Sequence, residues 1–356
     1  MKQVLSPAEG RALSSARGLR RLVTLLVVIN LVLLAAGHAL APRRGGVGAR
    51  RWRVGLVFDV GGRGDKSFND AAWRGLERAR DELGVDVRTI EPGDGSDRES
   101  ALRQLAAGGS DLVIGVGFIF SGDLDRLAAE FPGVKFAGID YAPTEGRTMA
   151  SNLSGLRFRE HEGSFVVGAI AGMLTRSRIV GFVGGMKIPL IRKFEAGYAA
   201  GVRHVCRDCQ VLSAYAGTEP KAFADPTLGH ELAIAQYDRG ADVIYHAAGK
   251  TGDGVLAAAR ERRSRAIGVD SDQFDAAPCC VVTSMIKRVD VAVVDAVREV
   301  IEGRFRGGLH ELGLVDDGVG FVADDRNAAL LPPDIAARAR ALEAEIIAGR
   351  IEVPSQ

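Results

Sequence analysis

Carboxylate, amide and phenyl side chains recur in this sequence directly after apolar segments that predict β-strands. Asp59 closes the first such segment, and Phe68 and Asn69 lie just beyond the glycine-rich turn that follows it. Asp140 and Asp270 close two later segments in the same way. Because ligands of parallel sheets bind outside the carboxyl ends of the strands, we expect these side chains to gather around one ligand.

Three further positions extend this pattern. Phe223 lies shortly before a predicted helix, and Gly249 and Lys287 each follow a predicted strand. A single aspartate after a strand is more often a helix cap or turn former, and we assign that role to Asp65 and Asp225. The recurrence of polar and aromatic residues at equivalent strand ends indicates a binding site.

Sequence signatures of enzymes are mostly missing. The chain has no Gly-x-Ser-x-Gly and no His-Glu-x-x-His motif, and its six histidines do not cluster. The run Gly249-Lys250-Thr251 imitates the end of a phosphate-binding loop, but Ile244 stands where such a loop needs a glycine. The residues therefore give no support for ATP or GTP binding at this loop or for a histidine-based metal or catalytic site, and we expect no enzymatic activity, metal or cofactor.

The elements that must position these residues alternate along the chain. Apolar runs predict nine strands, at 54–60, 85–90, 111–117, 135–141, 179–184, 211–216, 241–247, 266–269 and 281–285. Helical patterns lie among them, at 67–83, 98–107, 122–130, 160–174, 191–205, 226–239, 253–262 and 289–303. Such alternation indicates parallel sheets covered on both faces, and nine strands favour two doubly wound lobes over one sheet. Ser67 and Asp70 predict a capping box on the first helix.

The N-terminal residues predict a targeting segment. Basic residues precede an apolar run at 22–36, and small residues at Ala39 and Ala41 suit cleavage by signal peptidase. The 20 residues from Leu22 to Ala41 are also just long enough to remain as an uncut membrane anchor, and the sequence leaves both outcomes open. We assign residues 1–41 to a signal peptide or membrane anchor and residues 42–52 to a flexible linker.

Charge and cysteines are unevenly distributed. Residues 1–51 carry nine basic residues and one acidic residue, whereas the remainder carries 37 basic and 44 acidic residues. Nucleic acid is therefore not an expected partner of the body of the protein. The four cysteines are Cys206, Cys209, Cys279 and Cys280, and an even count in an exported chain predicts disulfides whose pairing stays open. The first pair alone also matches a redox motif or half of a zinc site.

Six stretches of the body share their order and residues with one known family. They are Asp59-Val-Gly-Gly-Arg-Gly-Asp-Lys-Ser-Phe-Asn69, Phe136-Ala-Gly-Ile-Asp-Tyr141, Glu162-Gly-Ser-Phe165 with Ala171-Gly172, Gly181-Phe-Val-Gly-Gly-Met186 with Ile188-Pro189, Gly268-Val-Asp-Ser-Asp-Gln273, and Thr283-Ser-Met-Ile-Lys-Arg-Val-Asp290. Together they resemble the basic membrane protein, or PnrA-like, family of ABC transporter substrate-binding proteins. The resemblance covers residues 53 to about 325, and six motifs in order are more specific than any single match.

This resemblance implies a type I periplasmic-binding-protein fold. In that fold two doubly wound parallel-sheet lobes, joined by a three-stranded hinge, close on a ligand. The approximate boundaries are 53–155 plus 283–308 for the first lobe and 156–282 plus 309–356 for the second.

The resemblance also implies roles for the residues that would contact a nucleobase. Asp59 matches a carboxylate that hydrogen-bonds the base, and Asn69 matches an amide at the base edge. Phe68 matches a ring that stacks on one face of the base, and Phe223 would stack on the other. Asp140 matches a further carboxylate of the cleft. Two phenyl rings suit the apolar faces of a purine, each stack contributing about 1–3 kcal/mol.

The ribose would be held by a second group of residues. Gly249 matches a backbone contact to the sugar, and Asp270 and Lys287 match the groups that hold its hydroxyls. Acidic groups form strong hydrogen bonds with hydroxyls and repel phosphate, which favours a nucleoside over a nucleotide. Lys250 stands where the family commonly has a small residue, and we expect it to bring a positive charge near the ribose.

The resemblance implies the extracytoplasmic component of an ABC importer that binds a nucleoside, with a permease and its ATPase as partners. We expect a monomer in the periplasm, either soluble or held at the inner membrane by its N-terminal segment. We do not expect a lipoprotein, because no cysteine precedes Cys206. Alternatives are a membrane-tethered sensor, a binder of another small polar ligand such as a sugar, and a nucleoside hydrolase, which would need a metal-binding carboxylate cluster.

Overall fold

Two β-sheets covered by helices organise the described part of the chain, which comprises residues 51–92, 97–144 and 146–356 of this computed structural model. The predicted signal peptide or anchor (1–41) and nearly all of the predicted linker (42–52) lie outside these residues. Among the residues described, no helix is both long enough and apolar enough to cross a bilayer.

Strands and helices alternate as the sequence predicts. The strands are β1 (Arg53–Val57), β2 (Asp86–Ile90), β3 (Leu112–Val116), β4 (Lys135–Ile139), β5 (Leu153–Phe158), β6 (Ile179–Met186), β7 (Gln210–Gly217), β8 (Val243–Ala247), β9 (Arg265–Asp270), β10 (Val281–Lys287), β11 (Gly308–Leu312) and β12 (Val319–Phe321). The helices are α1 (Phe68–Leu83), α2 (Arg98–Ala107), α3 (Ser121–Glu130), α4 (Glu160–Leu174), α5 (Pro189–Val205), α6 (Pro226–Asp238), α7 (Gly252–Arg262), α8 (Val289–Ile301) and α9 (Pro333–Ile347). Short 3₁₀ turns lie at Phe118–Phe120, Pro220–Phe223, Gly249–Thr251 and Phe274–Ala276.

Each sheet has six strands and forms the centre of one lobe. In the first lobe the strand order is β11-β5-β4-β3-β1-β2, and all pairs are parallel. In the second lobe the order is β12-β10-β9-β8-β6-β7, and β12 runs antiparallel to β10. Central strands such as β3 and β8 are buried along their whole length because helices cover both faces of each sheet. The prediction of two doubly wound lobes is confirmed.

Four elements were not predicted from the sequence, namely β5, β11, β12 and α9. β5 interrupts its apolar residues with Ser, Gly and Arg, and β11 and β12 are edge strands of five and three residues. Pairing with a neighbouring strand, more than an apolar run, defines such edge strands. α9 packs against α4 and adds its apolar side to the core of the second lobe.

The chain crosses between the lobes three times, which matches the predicted three-stranded hinge. The crossings are Arg159, Arg288 and residues 313–318. The Arg159 amide donates to the Leu312 carbonyl oxygen at 2.9 Å, and the Arg288 amide donates to the Gly318 carbonyl oxygen at 2.9 Å. These backbone bonds hold the three segments side by side.

The sheets place the lobe boundaries differently from the sequence prediction. That prediction put 283–308 in the first lobe, but β10 pairs with β9 in the second sheet. The first sheet includes all of β5 and β11, so it extends to Phe158 and Leu312. The lobe boundaries differ from the prediction because each crossing between the lobes comes directly after the carboxyl end of a strand. An apolar run locates a strand but does not identify the sheet that it joins.

All four cysteines are bonded in two local pairs. One disulfide joins Cys206 to Cys209 at the end of α5, and the other joins the neighbours Cys279 and Cys280 ahead of β10. The sequence predicted disulfides and left their pairing open. Neither bond links the two lobes, so both leave the hinge free to move.

Helices α4 and α5 approach so closely that only glycine fits at their contact. A side chain at Gly168 of α4 would collide with the backbone carbonyl of Tyr198 on α5. Gly197 and Gly201 of α5 face the backbone of α4 at His161 and Phe165 in the same way. Because the N-terminal ends of both helices reach the space between the lobes, this close packing fixes the residues that they carry there.

We predict that Gly168→Ala lowers the free energy of unfolding by about 1–3 kcal/mol, because the added methyl group forces the two helices apart. Gly122→Ala is the matched control, since a methyl group at that α3 position meets no atom within 4 Å. Urea denaturation measures both, and the control should stay unchanged or gain up to about 1 kcal/mol. Equal effects of the two substitutions would contradict the close-packing explanation.

Candidate functional site

A cavity lies between the lobes at the carboxyl ends of strands from both sheets. Its wall contains all eight residues that the sequence analysis proposed as ligand contacts: Asp59, Phe68, Asn69, Asp140, Phe223, Gly249, Asp270 and Lys287. Eight further residues complete the wall: Val60, Asp65, Phe118, Leu190, Ile191, Phe194, Ala247 and Val269. The fold therefore brings the predicted residues together in one place, although their contacts with a ligand stay a prediction.

Asp59 lies two residues beyond β1 and is held in place through its own backbone. The Asn69 side-chain oxygen accepts a hydrogen bond from the Asp59 amide at 2.9 Å, and the Val60 amide donates to Asp59 Oδ1 at 2.7 Å. A side chain at Gly117 would collide with the Asp59 carboxylate, so glycine at that position leaves room for it. Oδ2 of Asp59 accepts no hydrogen bond within the described residues and is available to a ligand.

Asn69 positions neighbouring residues, a role that the sequence analysis did not assign to it. It is 2% exposed, and besides accepting from Asp59 it donates from Nδ2 to Asp65 Oδ2 at 3.1 Å. The second hydrogen on Nδ2 has no acceptor among the described residues. Its main effect is to couple the first residues of α1 to the loop that carries Asp59.

The N-terminus of α1 is capped by Asp65. Its carboxylate accepts hydrogen bonds from the amides of Ser67, Asn69 and Asp70 at 2.8–3.1 Å, as expected for a helix cap. The predicted capping box of Ser67 and Asp70 is wrong, because Ser67 makes no capping bond and Asp70 accepts from the loop amides of Gly64 and Lys66. Asp225 caps α6 through the Leu228 amide, as expected.

The aromatic residues of the cavity come from both lobes. Phe68 is the first residue of α1, and Phe223 ends a 3₁₀ turn of the second lobe. Phe118, which the sequence analysis missed, meets Phe223 edge-on with ring centroids 6.4 Å apart. A side chain at Gly185 would occupy the space of the Phe223 ring. The signal for Phe118 was present, since it follows β3 at the same sheet edge as the other candidates.

Lys287 is a buried ammonium group between the lobes. Its Nζ lies 2.6 Å from Asp140 Oδ1 and 3.1 Å from Glu160 Oε1, and its side chain is 2% exposed. The rings of Phe68 and Phe158 lie 5.1 and 5.0 Å from the same nitrogen. Burial lowers the pKa of Lys287, but the surrounding carboxylates outweigh this effect and raise the pKa above its ordinary value. The ammonium group therefore stays charged.

Asp270 joins the two lobes as well as facing the cavity. The Ser67 hydroxyl donates to Asp270 Oδ2 at 2.6 Å, and the Ser271 hydroxyl donates to the Ser67 carbonyl oxygen at 3.0 Å. Arg74 of α1 donates to the Ser271 hydroxyl at 2.6 Å. Because these bonds link α1 of the first lobe to the end of β9, the lobes are in a closed arrangement.

Asp140 and Asp270 share an unusual backbone conformation at the ends of their strands. Asp140 after β4 has φ +57° and Asp270 at the end of β9 has φ +62°. Aspartate is among the few non-glycine residues that tolerate this left-handed region. The same unusual turn in both lobes directs one carboxylate from each lobe toward the space between them.

The position of Lys250 differs from expectation. It lies in the 3₁₀ turn with Gly249, but it does not line the cavity. Its charge acts instead on Asp253 of α7, where it opposes the rise in pKa that burial causes. Lys250 therefore does not add a second positive charge to the cavity wall, and its position relative to a sugar stays a prediction.

The cavity carries an excess of acidic groups. Asp59, Asp65, Asp140 and Asp270 line it, and Lys287 is the basic residue among its described wall. Burial raises the pKa of Asp59 from 3.8 to about 7 and that of Asp270 to about 6. Hydrogen bonds from Val60 to Asp59 and the charge of Lys287 on Asp270 act in the opposite direction. In the described residues no group of His, Cys, Asp and Glu is arranged to hold a metal ion.

Comparison with known proteins gives a consistent set of similarities. The model of the family described as "ABC transporter substrate-binding protein PnrA-like" matches residues 53–356. Basic membrane protein A of Borreliella burgdorferi is 32% identical over 95% of this chain and 96% of its own length. A solute-binding protein of an ABC transporter system from Aeropyrum pernix K1 superposes with a TM-score of 0.77 at 33% identity, over 86% of this chain and 94% of that one.

One relative bears on the expectation that this chain is not a lipoprotein. An uncharacterised lipoprotein of Pyrococcus abyssi is 37% identical over 77% of this chain and 69% of its own length. The name of this relative conflicts with the expectation where it is applied to the related proteins in general. For this chain the expectation rests on the absence of a cysteine before Cys206, and it stays a prediction.

We predict that Asp59→Asn reduces the loss of stability between pH 5 and pH 8. A pKa raised in the folded state means that the folded protein binds more protons than the unfolded chain. Protonated Asp59 therefore contributes stability that is complete below pH 4 and disappears as the pH rises through 7. The variant should therefore lose about 2 kcal/mol less than the unsubstituted protein over that interval. Urea denaturation at the two pH values measures the difference.

Asp208→Asn is the matched control, because the Asp208 side chain is 83% exposed. It should change the free energy of unfolding by less than about 0.5 kcal/mol at both pH values. An unchanged pH profile of Asp59→Asn would show that Asp59 is ionised in the folded protein at pH 5.

Proposed function

We propose that this chain, which belongs to the PnrA-like family of ABC transporter substrate-binding proteins, takes a purine nucleoside as its substrate. The family membership fixes the class of activity, which is capture of a solute for an importer. The identification of that solute as a purine nucleoside is our proposal beyond the family membership. It rests on one observation above all, which is that two phenyl rings from opposite lobes and a free carboxylate oxygen line a single cavity between the lobes.

The base would lie between Phe68 and Phe223. Each ring belongs to a different lobe, so a planar ligand that stacks on both rings stabilises the closed state over the open one. Asp59 Oδ2 would accept hydrogen bonds from donors at the base edge. Asn69 holds Asp59 in position by accepting a hydrogen bond from its backbone amide. A purine has the two apolar faces and the polar edge that this arrangement needs.

The ribose would lie near Asp270 and the backbone at Gly249. Ser67 occupies only Oδ2 of Asp270, so the other carboxylate oxygen is free to accept from a ribose hydroxyl. Gly249 has φ +54° and lines the cavity without a side chain, which allows the sugar to approach its backbone. Lys287 contributes the compensating positive charge beside Asp140.

The charge of the cavity favours an uncharged ligand. Four carboxyl groups line the wall and one ammonium group opposes them, and that ammonium group already pairs with Asp140 and Glu160. A phosphate group would meet unpaired carboxylates in a space of low dielectric, where repulsion between like charges is strong. Nucleosides should therefore bind much more tightly than nucleotides.

The protein would act outside the cytoplasm as the ligand-capturing partner of a permease and its ATPase. The family supplies the association with an ABC transporter. Attachment to the membrane through residues 1–41 and cleavage of that segment stay predictions, as does the monomeric state. Binding without conversion of the ligand is the expected activity, because function in this fold consists of closure.

Isothermal titration of residues 43–356 with adenosine, guanosine, inosine, uridine, ribose, glucose and AMP tests the proposal. We expect binding of purine nucleosides, weaker binding of uridine and none of AMP. Binding of a free sugar without binding of any nucleoside would keep the fold and overturn the ligand. Release of hypoxanthine from inosine during the titration would overturn the assignment as a binding protein.

We predict that Phe223→Ala weakens purine nucleoside binding about tenfold to a hundredfold, because one stacking surface of about 1–3 kcal/mol is lost. Phe305→Ala is the matched control, since Phe305 is partly buried beside Lys135 and away from the cavity wall. Titration of inosine into both variants measures the difference. Equal affinities would contradict the stacking arrangement.

We predict that Asp270→Asn removes most of the preference for ribonucleosides over 2′-deoxynucleosides. The carboxylate forms a charge-assisted bond to a hydroxyl, and the amide forms a weaker one. Ser67 still finds an acceptor on the asparagine, so the contact between the lobes is retained. The ratio of inosine to 2′-deoxyinosine affinities should fall about fivefold or more, and an unchanged ratio would place the ribose elsewhere.

A further inference from the structure

A second cavity adjoins the first and shares part of its wall. Phe118, Asp140 and Leu190 line both cavities. The second one, which we call the annex, is completed by Tyr141, Ala142, Pro143, Arg157, Glu160, Ile188, Pro189 and Lys193. The annex therefore begins where the ligand cavity ends, and it extends the space between the lobes toward the hinge.

The annex has an apolar middle and a basic far end. Phe118 and Leu190, which also line the ligand cavity, supply apolar surface on that side, and Ile188 adds to the apolar lining. Arg157 and Lys193 lie at the opposite side, because both also line the outer groove beside the hinge. A ligand group that fits this lining has an apolar segment followed by an anion.

Among the residues that the structure describes, the charges of the annex leave one cation without a partner. Lys287 pairs with Asp140 at 2.6 Å and with Glu160 at 3.1 Å, and Lys193 pairs with the other oxygen of Glu160 at 3.5 Å. The guanidinium of Arg157 has neither an ion pair nor a hydrogen bond within the described residues, although it is partly buried.

The neighbouring hinge residue shows the contrast. Arg159 pairs with Glu162 at 3.1 Å and with Glu311 at 3.3 Å, so the hinge arginine is fully engaged. A partly buried cation without a counter-ion is unfavourable unless a ligand supplies the charge. Arginine presents two parallel donors that match a carboxylate.

We propose that the annex holds the 5′ substituent of a nucleoside whose arm ends in a carboxylate, with Arg157 as its partner. This inference rests on the proposed function, which places the ribose beside Asp270 and Lys287. Lys287 lines the ligand cavity, and its partners Asp140 and Glu160 both line the annex, so this ion cluster lies where the two cavities meet. The arm would leave the sugar there and run over Phe118 and Leu190.

A single carboxylate suits this position better than a phosphate. Glu160 is 1% exposed and lies in the annex wall, so a dianion would meet stronger repulsion than a monoanion. The predicted substrate class is therefore 5′-amino-acid or 5′-carboxyalkyl purine nucleosides, bound in addition to plain nucleosides.

Titration of three related ligands into the protein comprising residues 43–356 tests the inference. Adenosine has no arm, 5′-methylthioadenosine has a short apolar arm, and S-adenosylhomocysteine has an arm that ends in a carboxylate. Arg157→Leu should weaken S-adenosylhomocysteine binding at least tenfold and change the other two less than twofold. Arg157→Lys should recover part of the loss because it restores the charge.

Arg192→Leu is the matched control, because Arg192 is exposed in the outer groove and does not line the annex. It should leave all three affinities unchanged. Equal losses for the three ligands in Arg157→Leu would reveal a purely structural role and overturn the inference. Binding of adenosine without S-adenosylhomocysteine would overturn the inference alone, and binding of none of the three would overturn the proposed function as well.

Discussion

The buried ammonium group of Lys287 is the constraint on which the rest of the molecule depends. A charge inside a protein is strongly unfavourable unless it is paired, and removal of one partner leaves the other uncompensated. Here the partners come from both lobes, since Asp140 follows a strand of the first sheet and Glu160 begins a helix of the second lobe. The lobes therefore satisfy this charge together only when they are close to each other.

The position of this cluster in the chain connects the cavity to the hinge. Lys287 is the last residue before the crossing at Arg288, and Glu160 is the first residue after the crossing at Arg159. From Glu160 the charges continue through Lys193, at 3.5 Å, to Glu311 of the first lobe, at 3.9 Å. The ion cluster at the ligand cavity is thus adjacent in the chain to two of the three crossings between the lobes. We regard this ion cluster as the element that couples the ligand cavity to the hinge.

Closure uses a second set of contacts at the start of α1. Ser67, at the start of α1, bonds to Asp270 and Ser271 of the second lobe. These bonds form only when the lobes meet, whereas Asp65 and Asn69 hold the helix start within the first lobe alone. A bound solute adds its own contacts to both sides and shifts the population toward the closed state. Under the proposed function, selectivity and closure are consequently properties of the same few side chains.

The sequence alone determined which residues end the strands, and this was enough to collect Asp59, Asp140 and Asp270 at one cavity. The reason is general, because alternation of apolar strands and helices fixes the parallel sheets, and parallel sheets present all their carboxyl ends on one side. It did not determine the edge strands, which depend on pairing with neighbours, or the lobe to which β10 belongs. Only the tertiary structure decided that Lys287 pairs with Glu160 and that Arg157 has no partner among the described residues, because those relations join segments distant in the chain and follow from how the lobes close.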